Sequence, residues 1–236
     1  MESQIQPNAH EPSRVTEKAE KAKKVKKDRF TWWQSLIILV ATLAICFTAG
    51  YYVSEKYLWN SNSDQIARQL KYYKDQVDIK PNDPKLRVQL GYTYFLKGDS
   101  TEAIKQYQIA KSLDKNYFDV YLNLSIAYDK EKRTDDALQM AVKAVKISPL
   151  DYKGHLLEGR SYRKLKMYDK ASKELEEAIR LKPGNTDIIY EVGLVAEAQG
   201  KMEEAEKIYK ETLSYDPTFK PAITALERIT SKSNDK

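Results

Sequence analysis

A self-match at a spacing of 34 residues runs four times without slippage from Pro84 to Phe219, and it restricts this chain to a stack of similar units. In register, the frames begin at Pro84, Phe118, Tyr152 and Thr186, and their twentieth places are Ala103, Ala137, Ala171 and Ala205. The eighth places hold Gly91, Ser125, Gly159 and Gly193, the eleventh Tyr94, Tyr128, Tyr162 and Ala196, and the twenty-seventh Ala110, Ala144, Ala178 and Thr212. Small residues thus recur where helices must touch. Three frames close on a proline, Pro149, Pro183 and Pro217; Lys115 takes that place in the first frame, and Pro81 precedes the array. Proline there stops one helix before the next begins.

Within a frame, the apolar residues fall three and four apart. In the second they are Leu124, Tyr128, Ala137, Ala141, Ala144 and Val145, a stripe on each of two helices. Neither helix buries its stripe alone, so neighbouring pairs must stack and the ends of the array need caps. Ile66, Leu70, Tyr73 and Val77 predict a capping helix before Pro81, and Ala222, Leu226 and Ile229 predict another beginning at Pro221. Asp83 and Asp151 are placed as N-caps, their carboxylates accepting backbone N–H groups that lack an intrahelical partner.

The recurring small residues, the aromatic in each helix and the terminal proline resemble the tetratricopeptide-repeat family, over about 136 of 236 residues. The family's usual tryptophan near the start of the repeat is replaced here by Arg87, Tyr121, His155 and Ile189. The resemblance implies an all-α chain, a right-handed α-solenoid of helix pairs at 84–117, 118–151, 152–185 and 186–219. Residues 56–83 would supply a linker and N-terminal cap, and 220–236 a C-terminal cap and tail. It also implies a concave groove, lined by the first helix of each pair, that grips a peptide or protein. The implied groove residues are Val88, Leu122, Leu156 and Tyr190 in one row, Tyr92, Ile126, Arg160 and Leu194 in another, with Asn123 and Lys153 beside them. Lys153, Arg160, Arg163 and Lys164 form a basic patch between Asp119 and Asp129 on one side and Asp187, Glu191 and Glu197 on the other. These charges either fix the register of an acidic ligand or pair with one another. Of the carboxylate-clamp places that related repeats use for chaperone tails, here Val88, Tyr92, Asn123, Lys153 and Leu157, only Asn123 and Lys153 fit, which argues against that ligand.

Upstream, Leu36 to Val53 is a run of 18 residues without a charge. With its flanks, 31–55, it is long enough to cross about 30 Å of hydrocarbon as one transmembrane helix. Trp32, Trp33, Tyr51, Tyr52, Tyr57 and Trp59 sit where interfacial aromatics belong. Nine of the 18 are Leu, Ile, Val or Phe, for an insertion free energy of about −3 to −5 kcal/mol. Lys18, Lys21, Lys23, Lys24, Lys26, Lys27 and Arg29 precede the span, whereas Lys56 and Arg68 follow it. The positive-inside rule then sets the N-terminus in the cytosol and the repeats outside a cell (plasma) membrane. Two alternatives stay open, a signal peptide cleaved near Thr48–Ala49–Gly50 and a lipoprotein box at Leu43–Ala44–Ile45–Cys46, where Ile45 is large for the place.

Residues 1–30 carry about half of the net charge of +6, and their lysines, glutamates and scarce apolar groups predict a disordered tail. Disorder is also expected for Ser231 to Lys236. The repeats are nearly neutral, which argues against a nucleic-acid partner. The lone cysteine, Cys46, lies within the apolar run and leaves no intrachain disulfide. The two histidines, His10 and His155, are far apart in sequence; no glycine-rich phosphate loop or metal-ligand spacing occurs, so no cofactor and no enzymatic activity are expected. The sequence therefore points to a membrane-anchored interaction scaffold or adaptor. The alternative is a chaperone-like accessory to protein export or cytochrome c maturation. Self-association through the ends of the stack stays open.

Overall fold

The computed structural model describes residues 31–54 and 60–234, with side chains for 31–54 and 63–231. The lysine-rich tail and most of the linker after the apolar run lie outside the described residues. Two compact units divide at Tyr57, the first holding α1 (Trp32–Val53) and the second everything from Leu58 on.

Helix α1 is 22 residues long, and its most apolar stretch has a mean hydropathy of 2.2 with none of it buried. Three of its polar side chains bond to its own backbone. The Gln34 carboxamide oxygen accepts from the Thr31 N–H at 2.9 Å. The hydroxyls of Thr42 and Thr48 donate to the carbonyls of Leu39 and Ala44, 2.8 and 2.9 Å away. Such back-bonding satisfies a hydroxyl from within its own helix.

The second unit is a helical solenoid. It begins with α2 (Asn60–Ile79), followed by four antiparallel pairs: α3 (Pro84–Lys97) with α4 (Ser100–Leu113), α5 (Phe118–Lys130) with α6 (Thr134–Ile147), α7 (Tyr152–Lys164) with α8 (Tyr168–Leu181), and α9 (Thr186–Ala198) with α10 (Met202–Tyr215). Helix α11 (Lys220–Asn234) closes the array. It runs through Ser231, correcting the expectation of a disordered segment there, because Ala222, Ala225 and Ile229 anchor it on α10. At the other end, Leu70 and Val77 of α2 pack with Leu90 of α3.

Local chemistry sets the helix ends. Asp83 accepts from the N–H groups of Lys85 and Leu86, Asp151 from Lys153, and Asn185 from Ile188. The turn inside each pair passes through a left-handed residue, Gly98 (φ 91°), Lys132 (φ 60°), Lys166 (φ 61°) and Gly200 (φ 81°). Two lysines hold a conformation that glycine adopts without strain, at a cost of about 1–2 kcal/mol each.

Ala103, Ala137, Ala171 and Ala205 are fully buried, as are Ala110, Ala144, Ala178 and Thr212. At seven of these eight places the buried side chain is a single methyl, and Thr212 is the exception. The eighth place of a frame is coupled in volume to the twenty-fourth. A β-carbon on Gly91 would lie 2.6 Å from the Tyr107 ring, and one on Gly159 would lie 2.8 Å from Leu175 Cγ. Where the eighth place is Ser125, the twenty-fourth is Ala141. Between these crossings Leu124, Leu175 and Ile188 have no exposed surface, and each contributes about 1.5–3 kcal/mol of apolar burial.

The fourth places share one bond. Arg87 Nε donates to the carbonyl of Pro81 (3.1 Å), Tyr121 Oη to that of Lys115 (2.8 Å), and His155 Nε2 to that of Pro149 (3.0 Å). Three unlike side chains thus staple each first helix to the carbonyl six residues upstream, satisfying a group that the incoming loop leaves without a helical partner. Ile189 has no donor, and the fourth pair does without this staple.

Candidate groove of the first helices

Each first helix touches the next, α3 to α5, α5 to α7 and α7 to α9, whereas the second helices of successive pairs do not touch to a comparable extent. The array therefore curves with α3, α5, α7 and α9 on its inner side, and their inward side chains form a groove.

In one expected row, Val88 and Leu122 are buried, whereas Leu156 and Tyr190 are half-buried. Val88 is 4 % exposed and packs with Ala103, Ile104, Tyr107 and Val120. Leu122 is likewise buried, against Tyr121, Ala141, Ala144 and Leu157. Leu156 is half-buried on Ala171, Leu175 and Ile188. Tyr190 stacks its ring 5.5 Å from that of Tyr209 and 5.6 Å from that of Phe219. The fifth place of the helix thus packs on its neighbours in the stack, which cover it fully in α3 and α5 and in part in α7 and α9.

The ninth places fare differently. Tyr92 is 45 % exposed and Ile126 is 38 % exposed. Leu96, one turn beyond Tyr92 and not anticipated from sequence, is 45 % exposed. The signal for it was present, since places nine and thirteen share a helix face. Leu194 is half-buried against the cluster of Ala196, Tyr209 and Ala225. Asn123 turns onto its own helix, Nδ2 donating to the Asp119 carbonyl at 2.7 Å. Lys153 is exposed.

The charges pair with one another. Arg160 Nε and Arg163 Nε donate to the two carboxylate oxygens of Glu191, at 2.6 and 3.0 Å. Lys164 is bonded to Asp129. Arg228 of α11 grips Glu197 with two donors, at 3.0 and 2.6 Å, and Tyr209 Oη donates to the same carboxylate at 2.8 Å. Burial, and then this bond to Glu197, push the Tyr209 phenol far up. The Lys130 ammonium sits 4.4 Å from the centroid of Phe95. These contacts join successive first helices, so the patch and its acidic neighbours lace α5, α7, α9 and α11 together. Glu191 is 4 % exposed, and a buried carboxylate of this kind depends on its partners.

His155 belongs to a buried polar cluster between α7 and α8. Its Nε2 faces a carbonyl, which only accepts, and its Nδ1 lies 2.8 Å from Glu174. Both nitrogens are satisfied as donors when the ring is an imidazolium. Burial opposes the charge, but the Glu174 and Pro149 bonds and the nearby Glu174 and Glu177 carboxylates outweigh it and raise the His155 pKa above 6.5. Beside it, burial and then Glu174 raise the Glu158 carboxyl above 4.5, against the Tyr162 hydrogen bond, His155 and Lys146, which lower it. Both groups bind protons more tightly folded than unfolded. Stability from His155 is therefore complete below about pH 6.5 and is lost as pH rises through its folded value; Glu158 acts in the same direction. Melting of the protein is expected to fall from pH 6 to pH 8.5, and His155→Gln is expected to shrink that difference. An unchanged difference in the variant would remove His155 from the account.

Among the described residues, no group of three or more His, Cys, Asp or Glu is placed to hold a metal ion.

Three family profiles match the chain, a TPR repeat over residues 91–131 and tetratricopeptide repeats over 118–149 and 162–229. The human protein O-mannosyl-transferase TMTC1 is 25 % identical over 175 residues, covering 71 % of this chain and 20 % of that protein. The TPR repeat-containing protein YpiA of Bacillus subtilis is 26 % identical over 175 residues, covering 71 % of this chain and 41 % of its own. The chain therefore spans less than half the length of these curated relatives. Among solved structures, TTC0263, a thermophilic TPR protein of Thermus thermophilus, superposes with a TM-score of 0.61 at 20 % identity, over 73 % of this chain and 94 % of its own.

Proposed function

The chain belongs to the tetratricopeptide-repeat family, and on that footing we propose that it is a membrane-anchored protein–protein interaction scaffold whose partner enters the groove of the first helices. One observation carries the reading: Tyr92, Leu96 and Ile126 stand exposed on α3 and α5, the first helices of two successive pairs. Apolar side chains held in a concavity by packed helices favour a partner that brings its own apolar residues. The principal contacts are Tyr92 and Ile126, with Asn123, Lys153, Arg160 and Leu194 around them. Val88, Leu122, Leu156 and Tyr190 support the wall from behind.

The anchor is α1. Its length and uninterrupted apolar surface favour a single span, and the lysines before it favour a cytosolic N-terminus with the repeats outside the cytosol. The chain acts by binding rather than by catalysis. Its match to TMTC1 covers a fifth of that protein, and a binding array of this type appears within proteins of many activities.

A photocrosslinking side chain at Ile126, with Lys210 on α10 as control, tests the groove in living cells. One dominant product from Ile126 alone is expected. A broad set of newly exported chains would replace the adaptor with a chaperone-like accessory, and equal yields from both sites would remove the groove from the function. Topology is tested with Ser13→Cys and Ser214→Cys in a Cys46→Ala background, treated with an impermeant maleimide. Labelling of Ser214→Cys alone in intact cells is the expected result.

A further inference from the structure

The groove divides into a laced half and an open half, and the open half has a sign. Toward α9 and α11, Arg160, Arg163 and Arg228 are spent on Glu191 and Glu197. Toward α3 and α5, Asp129 is engaged by Lys164, and Asp119 is exposed near Tyr117, whose phenol is raised by burial and then by this carboxylate. The exposed cations Lys85, Lys130 and Lys153 have no carboxylate within 4.0 Å among the described residues. They stand at places two and thirteen of the first helices α3, α5 and α7, and the exposed side chains of Tyr92, Leu96 and Ile126 stand at places nine and thirteen of α3 and α5.

We propose that this open half binds an acidic amphipathic helix, its apolar stripe on Tyr92, Leu96 and Ile126 and its carboxylates beside Lys85, Lys130 and Lys153. The inference rests on the reading of the groove as the partner site and names the partner's chemistry. The spacings favour a helix. Tyr92 and Leu96 lie one turn apart along α3, about 6 Å of helical rise, and the neighbouring helix carrying Ile126 is about 8–10 Å away. Side chains at i and i+4 of a ligand helix lying along α3 rise about 6 Å, which matches the interval between Tyr92 and Leu96. Charge complementarity selects the acidic ligand over the basic one, because three exposed ammonium groups, that of Lys130 lying over the Phe95 ring, outnumber the exposed carboxylate of Asp119.

The test uses the full chain in nanodiscs of zwitterionic phosphatidylcholine and two fluorescein-labelled 18-residue helical peptides. They share a leucine stripe and differ in polar residues, glutamate in one and lysine in the other. Anisotropy is expected to show the glutamate peptide binding at least tenfold more tightly, with affinity falling as salt rises. Ile126→Ser is expected to weaken it about tenfold, and the triple variant Lys85→Glu, Lys130→Glu, Lys153→Glu to reverse the preference. All four positions are surface side chains, and retained helicity by circular dichroism checks the fold. Equal or tighter binding of the lysine peptide, still sensitive to Ile126→Ser, overturns the charge assignment and leaves the groove as the partner site. Binding of neither peptide, or binding indifferent to Ile126→Ser, overturns both.

Discussion

Gly193→Ala is expected to destabilise the C-terminal end of the solenoid by about 2 kcal/mol, although alanine is the better helix former by about 1 kcal/mol. A β-carbon at Gly193 would fall inside the contact distance of the Tyr209 ring. That ring has no room to retreat: it is fully buried, its hydroxyl is bonded to Glu197, and its face lies against Tyr190. Overpacking a core of this kind costs about 1–3 kcal/mol, here at the upper end. In a repeat array the damage stays near the altered interface, so hydrogen exchange should accelerate in α9, α10 and α11 while α3 to α6 keep their protection. The volume coupling supplies the control. Gly193→Ser with Tyr209→Ala recreates the pair found at Ser125 and Ala141, and its loss is expected to be smaller than the sum of the two single losses. Simple additivity would show that the crossing is not set by this contact. Gly98→Ala strains only a backbone at φ 91° with no atom within 4 Å of a new β-carbon, and about 1 kcal/mol is expected there.

Glu191→Gln removes one charge and leaves two cations facing each other. Breaking a fully buried ion pair costs about 3–5 kcal/mol. The Arg160 and Arg163 side chains keep 30 % and 17 % of their surface exposed, so water relieves part of that, and a loss of about 2 kcal/mol is expected. Urea titration measures it. A loss below about 0.5 kcal/mol would place the pair among the exposed ion pairs that contribute little, and the lacing of α7 to α9 would then be incidental. Hydrogen exchange gives a second reading, since freeing the two arginines should loosen α9 against α7 and leave α3 and α4 untouched.

Much of the second unit was legible before its structure. The small residues recurring every 34 places gave the crossings, and Asp83 and Asp151 marked helix starts, because both signals are local: a methyl-sized gap and an orphan N–H act within a few residues of the side chain that serves them. The groove was legible only in part. Tyr92 and Val88 are four residues apart in one helix and both apolar, so nothing in the pattern separates a residue exposed on the inner face from one covered by the stack. Separation came from the packing of the array, which closes the fifth place of α3 and α5 while leaving their ninth open. The pairing of charges was also beyond sequence. Arg160 and Glu191 stand 31 residues apart on different repeats, and their union depends on the offset between neighbouring helices.

The staple at the fourth place joins the two levels. Arginine, tyrosine and histidine look like a lost pattern in sequence, yet each is large and ends in a donor, and each reaches the carbonyl six residues back. By itself the sequence determined that this chain is a stack of helix pairs behind one long apolar helix, because period, capping and hydropathy are properties of near neighbours along the chain. Only the tertiary structure decided which inward residues stay open and which charges remain unpaired, because exposure and ion pairing depend on the distances between helices that the chain brings together from far apart.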